Sequence, residues 1–103
     1  MRTVTACTVD EIAEGTVRCV TLERRPIALV RAAGHVFAFL DSCPHFGGRF
    51  SEGAVSVKRG EVICPWHRFR FNLADGTSVT NPELRAQTFP VRIEDGQVLL
   101  DLP

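Results

Sequence analysis

The chain has no apolar run of membrane-spanning length and no apolar signal core behind its first residues, so neither a span nor an export leader is expected. Its 12 Lys and Arg balance its 12 Asp and Glu, and no block of one sign stands out. That excludes a broad basic face for nucleic acid. No G-x-G-x-x-G follows a strand-like stretch, which leaves a flavin or nicotinamide site without its usual phosphate turn. No repeat, linker or low-complexity segment interrupts the sequence. With 103 residues the chain fits one domain with a modest core. It is expected to be cytoplasmic and, lacking a long apolar stripe that demands a partner, monomeric.

What the chain does have is concentrated in one stretch. Cys43-Pro44-His45 is followed, after 18 residues, by Cys64-Pro65-Trp66-His67. Each loop offers one thiol and one imidazole, and the connection between them is long enough for a hairpin that would bring both loops to one point. Zinc sites of the finger type usually group cysteines in one short pair and histidines in another. One of each per loop suits a [2Fe-2S] cluster in which two thiolates hold one iron and two imidazoles the other. A zinc site built from the same four residues is the competing reading.

Around those ligands stand Gly47-Gly48, Ser51-Glu52-Gly53, Phe71 and Asp75-Gly76, and with them the stretch from 41 to 76 resembles the Rieske-type ferredoxins. The likeness continues more weakly over the rest of the chain. It implies an all-β fold, an antiparallel β-sandwich carrying a small cluster-binding subdomain at about residues 41–76. It also implies that Cys43 and Cys64 bind one iron while His45 and His67 bind the other. With neutral imidazoles the oxidised cluster carries no net charge, so an electron is added more easily than to a four-thiolate cluster. Respiratory members of the family have a disulfide between the loops and hydroxyl donors to the cluster. Gly48, Trp66 and Phe69 stand at those positions here, which places the expected potential at the low end of the Rieske range.

Period-two alternation gives the strands. They are expected over 2–7, 16–22, 27–31, 35–40, 55–57, 62–64, 89–94 and 97–102. Thr8-x-x-Glu11 has the form of a capping box for one helical turn. Ala33-Gly34 and Asp95-Gly96 mark hairpins, and Asp75-Gly76 marks another tight turn. Phe69 and Phe71 alternate with Arg68 and Arg70, while 77–86 reads as a loop holding Asn81-Pro82. Trp66 and Phe71 are expected to pack beneath the cluster, and Gly47, Gly48 and Gly76 to adopt positive φ. Pro82 matches the family's shielding loop only loosely. Cys7 and Cys19 read as small buried thiols, with a disulfide between them as the less common alternative, and His35 as a surface or half-buried strand residue.

The functional reading follows. A self-contained non-haem oxygenase needs two more histidines and a carboxylate, and only His35 is left. The chain is therefore expected to be no enzyme itself but a soluble one-electron carrier between a flavin-dependent reductase and a terminal ring-hydroxylating oxygenase. The small subunit of a complex such as assimilatory nitrite reductase is the nearest alternative, and a zinc-stabilised interaction module a more distant one.

Overall fold

A run of four consecutive apolar residues, Ile27-Ala28-Leu29-Val30, sets the architecture, since none of them exposes any surface. In a strand, alternate side chains point to opposite faces, so such a run has to be covered on both sides. The computed structural model describes residues 2–45 and 47–103 and shows how this is done. Strand β3 (Arg25–Ala32) lies inside a four-stranded antiparallel sheet with β2 (Thr16–Leu22), β4 (His35–Leu40) and β8 (Thr88–Phe89), ordered β2-β3-β4-β8. On one face lies the sheet β1-β10-β9, made by Arg2–Thr8, Gln97–Leu102 and Val91–Glu94. On the other lies a small sheet, β5-β6-β7, made by Ala54–Ser56, Glu61–Ile63 and Arg70–Asn72.

Each face of β3 feeds a separate core. Ile27 and Leu29 join Ile12, Val36, Ala38, Phe89 and the buried face of β10, Val98, Leu100 and Leu102. Ala28, Val30 and Ala32 join Phe39, Phe50, Val62 and Phe71, and this second core also contains Cys43 and Cys64. The two thiols are thus part of the packing that holds the small sheet to the central one. Phe50 contributes to that packing, with ring centroids 5.6 Å from Phe39 and 5.2 Å from Phe71.

The turns explain most of the strand boundaries. Asp95-Gly96 and Ala33-Gly34 close two-residue hairpins with both central residues at positive φ, the type I′ geometry that suits the twist of paired strands. Glu23-Arg24 does the same between β2 and β3 without any glycine. The capping box forms as expected: the Thr8 N–H donates to Glu11 Oε2 at 2.7 Å ahead of the 3₁₀ turn Val9–Glu11. The stretch expected as one strand over 89–94 is divided. Phe89 pairs with Ala38 in the central sheet, whereas Val91 pairs with Leu100 in the outer one, and Pro90, which has no N–H, sits at the crossing. Strand β5 begins one residue earlier than expected, pairing Ala54 with Ile63. No helix among the described residues is long and apolar enough to cross a membrane.

Candidate metal centre

The β5–β6 hairpin carries a loop at each of its outer ends, residues 41–53 before it and residues 64–69 after it. Backbone hydrogen bonds close each loop on itself: Cys43 N–H to Gly48 O, Gly47 N–H to Cys43 O and Cys64 N–H to Phe69 O, all between 2.7 and 2.8 Å. His67 and Arg68 take left-handed backbone, φ 57° and 55°, to make the second of these turns. That conformation ends the alternation expected from Phe69 onward, and β7 starts only at Arg70.

The hairpin brings the four sequence-predicted side chains into two pairs. Cys43 and Cys64 are buried together, near enough for the Cys43 sulfur to disfavour charge on Cys64. The His45 and His67 rings approach to 5.2 Å between centroids, His45 half-buried and His67 exposed. Thiol faces thiol inside, and imidazole faces imidazole at the rim. Burial pushes the Cys64 thiol up to about 11, against the pull of a hydrogen bond from the Trp66 N–H and with a further push from the Cys43 sulfur beside it. Two sulfurs so placed resist becoming thiolates together unless a cation compensates them. Such a donor set fits a metal group that takes two thiolates on one side and two neutral nitrogens on the other.

The family model for the Rieske [2Fe-2S] domain matches residues 2–92. The chain belongs to this family. As a Rieske protein it is an iron–sulfur protein, and ferredoxins of similar length match nearly all of it. The ferredoxin component of the naphthalene 1,2-dioxygenase system of Pseudomonas putida is 33% identical over 100 residues, covering 96% of this chain and 94% of the relative. The ferredoxin solved in complex with the oxygenase of carbazole 1,9a-dioxygenase superposes with a TM-score of 0.84 at 26% identity, over 95% of this chain and 91% of that one. A chain provisionally named as the small subunit of an NADH-dependent nitrite reductase from Mycobacterium tuberculosis superposes with a TM-score of 0.87 at 28% identity, over 96% and 93%.

Several residues of this Rieske site have roles that differ from those expected of them. Trp66 does not pack beneath the site, since 57% of its surface is exposed. Its ring lies across the first loop at Gly48, where an added Cβ would stand 2.0 Å from Trp66 Cδ1 and 3.0 Å from Cys64 Sγ. Gly48 is therefore required for close approach and not for positive φ, which only Gly47 and Gly76 of the three show. Phe71 is buried as expected, and Phe69 takes the place expected of the tryptophan, stacking on His45 with ring centroids 3.6 Å apart and planes 11° apart. Pro82 is exposed in its loop. His35 is exposed at the start of β4, as expected.

Asp41 was not foreseen. It is 2% exposed and closes the base of the first loop, accepting from the Ser51 N–H at 2.9 Å, the Ser51 hydroxyl at 2.5 Å and Arg49 Nε at 3.3 Å. Burial alone would push its carboxyl up, but the Ser51 hydrogen bonds, with the Cys19 thiol and Arg49, pull it down by more and leave it below the ordinary carboxylate range. Arg49 reaches on to Cys19 Sγ at 3.0 Å, so the loop is tied to β2 as well. Cys19 and Cys7 are half-buried free thiols and not core residues. Nothing in the spacing marks Asp41, because its partner Ser51 lies ten residues away across an irregular loop. Asp41→Ala strands those donors, and a loss of about 2–4 kcal/mol is expected in chemical denaturation. An unchanged denaturation midpoint would show that water replaces the carboxylate without loss.

Proposed function

We propose that the chain is a one-electron carrier holding one [2Fe-2S] cluster, with Cys43 and Cys64 as the thiolate ligands of one iron and His45 and His67 as the imidazole ligands of the other. It would serve, as a cytoplasmic monomer, between a flavin-dependent reductase and a terminal ring-hydroxylating oxygenase, residues 41–76 forming the cluster-binding part of a single domain. The observation that carries this reading is the sorting of donors into a buried thiol pair and a rim imidazole pair, on a chain whose relatives include dioxygenase ferredoxins along their whole length.

When bound, such a cluster supplies a site that takes up one electron and gives it back. The chain's own residues set the conditions for that exchange. Burial keeps water from the two sulfurs, the Trp66 backbone N–H favours the charged form of Cys64, and Phe69 fixes the plane of His45. The exposed edge of His67 offers the shortest way out. With glycine, tryptophan and phenylalanine at positions 48, 66 and 69, side-chain hydroxyl donors are missing from them, and backbone N–H groups are left to stabilise the sulfurs.

A midpoint potential near the bottom of the Rieske range, about −150 mV, is therefore expected in protein-film voltammetry. A wave centred at positive potential would require a hydrogen-bond donor that these residues do not provide. Purified protein should contain iron and acid-labile sulfide in equal amounts. A colourless protein containing zinc and neither of these would overturn the reading. The likeness to a nitrite reductase small subunit supports a second reading, in which the same centre serves within a reductase complex. Capture of partners from the source cell separates the two: a ring-hydroxylating oxygenase in one case, a large nitrite-reducing subunit in the other.

A further inference from the structure

Three arginines lie on or beside the two loops, and two of them are neutralised in place. Arg49 is paired with Asp41 at 3.3 Å and with Glu52 at 4.0 Å, and Arg70 with the buried Glu61 at 3.3 Å. Arg68 is exposed and has no hydrogen-bond or ion-pair partner among the described residues. Its backbone is left-handed, φ 55°, a conformation that costs a residue with a side chain but costs glycine nothing. It directly follows the exposed His67, and one residue further back is Trp66, the most exposed large apolar side chain among the described residues. Packing does not account for an arginine there: its neighbours in the shallow recess beside it, Gly53, Ala54, Ile63 and Pro65, offer it no carboxylate, and Glu52 of the same recess is not within ion-pair reach.

We infer that Trp66 and Arg68 together form the docking contact for the protein that accepts the electron, the indole entering an apolar depression and the guanidinium pairing with a carboxylate of the acceptor next to the His67 edge. Tryptophan and arginine are the residues over-represented where interfaces concentrate their binding energy. Arginine is suited to the task because its planar fork holds a carboxylate in two parallel hydrogen bonds and so fixes orientation as well as attraction. The pair flanks His67 on both sides along the chain. An acceptor held by both would therefore touch the loop that carries the exposed His67. This inference rests on the carrier reading above and adds the chemistry of the acceptor's surface to it.

Gold electrodes coated with mixed carboxylate- and methyl-terminated alkanethiols present both chemistries at once. Holoprotein is expected to be retained there and to exchange electrons with the electrode. Arg68→Glu should slow that exchange roughly tenfold and reduce the retained protein seen by surface plasmon resonance, whereas Arg68→Lys keeps most of both. On an amine-terminated coating the order should reverse. Arg68→Gly should melt no lower than the wild type, because its left-handed backbone suits glycine. Equal rates for wild type and Arg68→Glu on both coatings, with full iron and sulfide in each, would overturn the docking role. So would a lower melting temperature for Arg68→Gly, which would make Arg68 structural. Wild-type protein without iron and sulfide would instead overturn the carrier reading itself.

Discussion

Cys43→Ser and Cys64→Ser are each expected to yield protein without iron or acid-labile sulfide and with the strand signature of its far-ultraviolet spectrum largely intact. With the ligands proposed above, loss of one thiolate would leave an iron without a ligand that the oxygen of a serine does not replace in kind. The sheets β1-β10-β9 and β2-β3-β4-β8 contain neither cysteine, so most of the strand content is independent of the site. The packing is less so. Both sulfurs lie in the core shared with Phe39, Phe50 and Phe71, and a hydroxyl buried there without a full complement of hydrogen bonds costs roughly 1–3 kcal/mol. Metal-free variants should accordingly unfold at lower denaturant than metal-free wild type. Cys7→Ser and Cys19→Ser should retain the cluster. Normal iron and sulfide content in either ligand variant would remove that residue from the site.

Gly53→Ala is expected to be strongly damaging although it replaces no proposed ligand. A Cβ at this position would stand 1.9 Å from the Ile63 carbonyl oxygen and 3.2 Å from Pro65 Cδ. The first of these is backbone, paired through Ala54 into the β5–β6 ladder, and cannot rotate aside as a side-chain tip would. The φ of Gly53 is −95°, so no left-handed penalty applies and the close approach of the carbonyl is the main obstacle to a side chain. Relief would have to come from parting β5 from β6, immediately before Cys64. A loss of about 3 kcal/mol is expected from overpacking of this kind, with reduced cluster occupancy. Gly60→Ala supplies the comparison: its φ is 66°, yet no atom lies within 4 Å of the added Cβ. It should cost only the left-handed penalty of about 1–2 kcal/mol. If Gly53→Ala were the milder of the two, the ladder would be far more yielding than its pairing implies.

Much of this was legible in the sequence, and for identifiable reasons. The outer strand β10 alternates along its whole length, with Val98, Leu100 and Leu102 on one buried face, and Asp95-Gly96 and Ala33-Gly34 carry their turn chemistry openly. The ligand candidates stood out because Cys-x-His and Cys-x-x-His are rare pairings whose spacing has few uses. Other features were hidden because their causes are tertiary. The Glu23-Arg24 hairpin uses two side-chain-bearing residues at positive φ, which no turn preference announces. Trp66 was expected to pack beneath the cluster, but the small Gly48 opposite it lets the ring rest on the outside of the loop. Phe69 showed only as part of an alternation with Arg68 and Arg70, but the left-handed residues before it turn its ring toward His45. Asp41 depends on a partner across a loop, and local patterns have no reach over such a distance. Pro90 was visible in the sequence, yet only the two sheets on either side of it show that it marks a change of sheet.

The double burial of β3 has a consequence for how the chain avoids misalignment. In a half-buried strand, a slip of one residue is prevented because it would turn polar groups inward. Here Ile27, Leu29, Ala28 and Val30 are apolar on both faces, so polarity barely distinguishes correct register from incorrect. Size does instead. The face toward β10 takes the large Ile27 and Leu29, and the face toward the small sheet takes Ala28, Val30 and Ala32 beside bulky Phe39, Phe50 and Phe71. A slip would set leucine against those rings and leave alanine opposite Val98 and Leu100, overfilling one side while hollowing the other. Arg31 adds a polar lock, its guanidinium donating to the carbonyls of Val9 and Ile12 at 3.3 and 3.0 Å, contacts that exist in one alignment only. Alignment of the central strand is thus encoded in side-chain volume and one guanidinium, so that enlarging Ala28 and trimming Leu29 together would weaken the choice of register before it weakened the hydrophobicity of either core.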